Sequence, residues 1–228
     1  MQHLTKNEAE QKFPGVEFAG EVWIGGNVQI GGGVSIGSGV RISSNVQIGG
    51  GVSIGGGMII GIDAIIGDGV WVGSNVRIGS NVQIGGGVSI GGGTIIGIDA
   101  IIGDGAVVGR NVRIGDGTRV GSDVSIGSGV VVGAFTRIVT ETIVPTGAHI
   151  PRSLGNVTAA LAINGIGKHK QLSAIACDKG LIIHIGCMND YQGLPPDGAR
   201  EEIAKKYEAD HPYFAAIDLA ERWYEGIE

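Results

Sequence analysis

From Ile24 to Ile138 every sixth residue is Ile or Val, twenty consecutive positions without a slip. The residues two before these anchors are mostly Val, Ala or Thr, as at Val22, Val28, Val34, Ala64, Thr94 and Ala106. Side chains alternate along a strand, so both members of each pair point to the same side of a short strand. A small residue, almost always Gly, follows each anchor, and Asn, Gly or Asp stands three after it, as at Asn27, Gly33, Gly39, Asn45, Asp63, Gly69 and Asn75. These three types adopt positive φ most readily, which predicts a corner every six residues. Three corners close a triangular coil, and successive coils stack with parallel strands about 4.8 Å apart. Residues Val16 to Ile150 then make between seven and eight coils, a prism roughly 35 Å long on that spacing.

The run Ile-Gly-Gly-Gly-Val-Ser-Ile-Gly-Ser-Gly-Val-Arg at 30–41 resembles the bacterial transferase hexapeptide repeat: an aliphatic residue, Gly, two variable positions, a small residue and one more variable position. The resemblance covers about 60% of the chain. It implies left-handed coiling, since ordinary crossover rules favour the other hand. The expected fold is mainly β: a left-handed parallel β-helix of seven to eight coils of 18 residues, an N-terminal helical cap and a C-terminal α+β segment. The expected divisions are a cap over 1–15, the β-helix over 16–151 and a C-terminal α+β module over 152–228.

A longer repeat lies on the short one. Residues 45–80 and 81–116 are identical at 31 of 36 positions, differing at Met58/Thr94, Val70/Ala106, Trp71/Val107, Ser74/Arg110 and Ser80/Asp116. The block equals two whole coils, so copying it lengthens the prism and keeps every residue in register.

Residues one before each anchor point outward in three columns, one per face. The first face reads Trp23, Arg41, Ile59, Arg77, Ile95, Arg113, Val131; the second Gln29, Gln47, Ile65, Gln83, Ile101, Arg119, Arg137; the third Ser35, Ser53, Trp71, Ser89, Val107, Ser125, Ile143. Ile59, Ile62 and Ile65 surround the corner between the first two faces, and Ile95, Ile98 and Ile101 repeat the cluster two coils later. Stacked exposed aliphatics call for a cover, which a closed cyclic oligomer supplies. Proteins resembling this repeat are typically homotrimers, so a trimer packed along that edge is expected. An ice-binding face would need an unbroken Ser or Thr array, which Trp71 and Val107 interrupt.

Composition narrows the partners. Glycine makes up 45 of 228 residues, yet without a Gly-X-Y period, and evenly spaced Ile and Val exclude simple disorder. A net charge of -6 leaves no broad basic surface, so nucleic acid is not an expected partner. The first ten residues lack an apolar signal core and no apolar stretch approaches a membrane span, so a soluble, cytoplasmic protein is expected. Cys177 and Cys187 flank Asp178-Lys179-Gly180. With Lys179-Gly180 as a two-residue hairpin loop, Cys177 would face Ile182 and Cys187 would face Leu172, leaving two free thiols.

Hexapeptide-repeat enzymes that transfer acyl groups from a coenzyme A or carrier-protein thioester use a His as general base to deprotonate the acceptor hydroxyl or amine, a task suited to an imidazole. From Val16 to Ala148 there is no His, and no insertion breaks the coil. The γ-class carbonic anhydrases, which share the fold, need three His ligands on zinc, so no metal is expected. Asp63, Asp68, Asp99, Asp104, Asp116 and Asp123 all stand at corners, where Asp serves as a turn residue. His149, where the last coil ends, and His184, inside Leu181-Ile-Ile-His-Ile-Gly-Cys187, are the remaining catalytic candidates.

Thr5-Lys-Asn-Glu8 has the form of a capping box and predicts a helix over about 6–12 covering the first coil. Beyond Pro151, Gln171–Cys177 and Leu181–Cys187 predict an antiparallel hairpin, followed by helices from Ala199 to about Ala209 and from Pro212 to about Glu225. Tyr213, Phe214, Ile217, Ala220 and Trp223 recur at helical spacing and predict a separate core, on a module able to recognise a protein partner. Two functions remain open. One is a rigid trimeric scaffold without a cofactor; the other is an acyltransferase using coenzyme A, with its site in the inter-subunit cleft near the C-terminal end.

Overall fold

The computed structural model describes residues 1–151, 154, 156–164, 171–185, 193–205, 208 and 211–227. Cys187 and Ala209, at the far ends of the expected second strand and first C-terminal helix, lie outside them.

The six-residue rhythm becomes a β-solenoid of about eight turns. Its strands are mostly two or three residues long and stack in three parallel sheets, one per face. Each residue pairs with the one 18 positions on, as in Trp23 with Arg41 and Gln29 with Gln47. The anchors and the residues two before them fill a single core running the length of the prism. Where that inner position is Thr, its hydroxyl donates to a carbonyl of the next coil: Thr94 to Gly109 at 3.0 Å, Thr118 to Gly133 at 3.0 Å and Thr136 to Pro151 at 3.0 Å. A buried hydroxyl is thereby satisfied at no cost to the coil.

Asn27, Asn45, Asp63, Asn81 and Asp99 all take the expected positive φ, between 55° and 61°. The glycine after each anchor has a different purpose, close approach. A Cβ on Gly67 would lie 2.7 Å from both Gly85 C and Gly86 N, inside the next coil's backbone. A side chain at Gly67 therefore requires the backbone of the two coils to shift.

The first coil is closed as expected and then further. Helix α1 (Lys6–Lys12) begins at a complete capping box, with Thr5 and Glu8 each accepting from the other's backbone N–H. Ahead of it, the strand Gln2–Leu4 pairs antiparallel with Val22–Ile24, an element the repeat pattern does not announce. It covers the sheet edge that stacking leaves bare.

The C-terminal segment extends the second sheet. A nine-residue strand, Asn156–Asn164, pairs parallel with Arg137–Ile138 and antiparallel with Gln171–Cys177, which in turn pairs with Gly180–Ile185. The hairpin register differs from expectation. The loop is Asp178-Lys179, Cys177 pairs with Gly180, and Leu172 pairs with Ile185, because Gly180 takes φ +91° at the strand's entry. Cys177 is a buried free thiol.

The two faces of this sheet do different things. Ile175, Cys177 and Ile182 join the core of the prism and seal its end. Leu172, Ala174, Leu181, Ile183 and Ile185 pack under helices α2 (Pro196–Ala204) and α3 (Pro212–Glu225). Helix α2 starts three residues earlier than expected, since Pro196 is well tolerated in a first turn. Arg200 clamps the two helices, donating to Glu221 at 2.8 and 2.5 Å and to Asp218 at 2.5 Å. Among the described residues no helix is long and apolar enough to cross a membrane.

Gly67→Ala is expected to destabilise the chain by about 1–3 kcal/mol through overpacking between coils. Gly32→Ala, whose added Cβ would meet nothing within 4 Å, should leave stability unchanged. Chemical denaturation followed by circular dichroism distinguishes the two.

Candidate functional site

The coil spends its corner side chains on itself. Asp68, Asp104 and Asp116 each accept a backbone N–H from the preceding coil, from Gly50 at 2.6 Å, Gly86 at 2.7 Å and Ile98 at 2.8 Å. Asp63 and Asp99 accept from the carboxamides of Asn45 and Asn81, each at 2.9 Å. These carboxylates tie coil to coil, and the described residues hold no cluster of three metal-ligating side chains.

The two candidate histidines, 35 residues apart, meet at the C-terminal end. His149 sits on the last strand of the first face, in register with Val131. His184 lies on the prism-facing side of the hairpin, opposite Ser173. Their ring centroids are 4.0 Å apart, and Ser173 Oγ accepts from the His149 backbone N–H at 2.9 Å. His184 is 4% exposed and His149 half-buried.

Burial lowers the pKa of both rings. For His184 burial acts first and the neighbouring His149 second, bringing it to about 4. Burial thus favours the neutral form of both imidazoles, with His149 the more accessible. Ser173, the third member, escaped the sequence reading. Strand alternation with Ile175 and Cys177 was the available signal, but nothing in the chain indicates that this face meets His149.

At the expected interface Ile59, Ile62, Ile65, Ile95 and Ile98 are between 38% and 49% exposed. Ile101 is half-buried. Arg77 stands in register between Ile59 and Ile95, and Gln83 between Ile65 and Ile101, so the corner presents two apolar bands separated by one polar coil.

Residues 105–140 match the family described as Bacterial transferase hexapeptide (six repeats). No curated protein sequence matches the chain. Similar solved structures include a mutant GDP-perosamine N-acetyltransferase from Caulobacter crescentus in complex with CoA and GDP-perosamine, with 20% identity over 53% of this chain and 52% of that one, TM-score 0.33. Another is the acetyltransferase domain of PglB from Neisseria gonorrhoeae in complex with acetyl coenzyme A, with 19% identity over 63% and 58%, TM-score 0.34. A third is LpxA from Acinetobacter baumannii, with 18% identity over 92% and 93%, TM-score 0.39. The chain spans a little over half the length of the first two.

Unfolded histidine takes up protons near pH 6.5, whereas folded His184 resists them down to about 4. Stability is therefore full above pH 6.5 and falls as pH is lowered between these values. Melting temperatures across that window should decline in the unaltered chain and decline less in His184→Leu, with His149 accounting for the remainder.

Proposed function

We propose that this chain, which carries the bacterial transferase hexapeptide repeat, is a rigid trimeric scaffold that holds its C-terminal module at a set distance from its N-terminal cap. The observation that carries this reading is the use of corner carboxylates as inter-coil ties. The prism has no His from Val16 to Ala148 to act in their place. The apolar bands at Ile59/Ile62/Ile65 and Ile95/Ile98 support self-association along one edge, and a closed ring covers them on every copy. The exposed sides of α2 and α3 would then be displayed three times at one end, where a protein partner could engage them.

A second reading, an acyl-CoA-dependent acyltransferase, is favoured by the transferase-repeat match and by His149. This half-buried imidazole ends the column that contains Ile59 and Ile95, so a partner packed along the Ile corner would border it. His149 would accept the proton of the acceptor hydroxyl or amine, with His184 and Ser173 orienting its strand.

Light scattering should give a mass of three chains, and Ile62→Asp combined with Ile98→Asp should yield folded monomers. A folded monomer from the unaltered chain would overturn the trimer. In a thermal-shift titration the scaffold reading expects no stabilisation by coenzyme A or acetyl-CoA. Stabilisation together with thiol release that His149→Ala abolishes would establish the acyltransferase instead.

A further inference from the structure

The five differences between the duplicated blocks are unevenly used. Met58/Thr94 and Val70/Ala106 are interior positions, all fully buried. Asp116, matching Ser80, ties its corner to the Ile98 backbone. The remaining two pairs, Trp71/Val107 and Ser74/Arg110, are exposed on the third face and the corner that leads from it. Trp71 from the first copy and Arg110 from the second line the same groove, of about 580 Å³.

The groove has the form of an open trough. Its lining runs over four coils, from Ser53 through Trp71, Ser74 and Asn75 and the bare Gly92 and Gly93 to Arg110 and Asn111. The strands bearing Trp71 and Val107 flank the strand of Ser89, so the coils that carry Trp71 and Arg110 are about 10 Å apart along the stack, two strand spacings, with Arg110 three residues further round its coil. Trp71 is 49% exposed, with Ser53 and Ser89 as its in-register neighbours. Among the described residues Arg110 makes no ion pair, although its side chain is exposed.

We infer that this trough binds an acidic saccharide, with a sugar ring lying on Trp71 and its carboxylate on the Arg110 guanidinium. An indole with one free face takes the C–H side of a pyranose, while hydroxyls and carboxamides beside it match the ring's hydroxyls. A guanidinium offers the planar fork that a carboxylate fits. The open, polar, shallow form suits a chain of sugars that passes through, in contrast to the enclosed apolar pocket of a compact cofactor. Only the differences between the copies place an aromatic side chain in the first and a cationic one in the second, along one groove. Trp71 lies on the face opposite the Ile corner, and Arg110 on the corner between that face and the first, so neither belongs to the Ile edge and the inference does not rest on the scaffold reading.

The test is isothermal titration of the full chain with trigalacturonate and with neutral cellotriose. Trigalacturonate should bind more tightly, and the Trp71 indole N–H resonance should shift during titration. Trp71→Val should weaken binding at least about tenfold, and Arg110→Ser should abolish the preference for the acidic sugar. Both substitutions install the residue that the other copy already carries at the matching position, so the fold should persist, as unchanged melting curves would confirm. No binding of either sugar at millimolar concentration, a preference for cellotriose, or undiminished affinity in Trp71→Val would overturn the inference.

Discussion

Every other feature of this molecule depends on the contact between one coil's corner and the next. At Gly31 and Gly67 an added Cβ would sit 2.7 Å from the following coil's peptide atoms, so close stacking there requires glycine after the anchor. Once closed, the corner N–H groups bond coil to coil at regular intervals, as from Gly51 to Gly32 and from Gly69 to Gly50, each at 2.9 Å. The anchors then meet across a narrow interior that admits Ile, Val, Ala, Met or a hydrogen-bonded Thr. Close approach, regular bonding and a dry core are one constraint seen from three sides.

That constraint decides where function can reside. Asn45, Asp63, Asp68, Asn81, Asp99 and Asp104 at the corners are held by the stack, which leaves the outward columns, the remaining corner side chains and the two ends for other chemistry. Three features occupy separate places: the Ile bands on one edge, the Trp71–Arg110 trough on the third face and the corner that follows it, and the His149–His184 pair at the C-terminal end. A solenoid allows this separation because each coil touches only its neighbours.

The C-terminal end shows how a repeat is stopped. A parallel stack offers an open sheet edge and an open core, and a single three-stranded extension closes both. Its prism-facing side chains finish the long core, and its outer side chains found a smaller one with α2 and α3. His184 lies on the prism-facing side, where burial and the neighbouring His149 favour its uncharged form.

The period of six, the alternation within each strand and the turn-forming residues determined the solenoid, its three faces, the outward columns and the N-terminal capping box, because all of these are local or repeat at a constant interval. The Ile corner was legible for the same reason, since residues 18 apart are neighbours in any such coil. The strand Gln2–Leu4, the long strand Asn156–Asn164, the hairpin's register and the meeting of His149 with His184 were decided only by tertiary structure. Each of these joins segments whose spacing obeys no period. Trp71 and Arg110 fall between the two cases. The duplication marks them as different, but only the stacking of coils brings them into one groove.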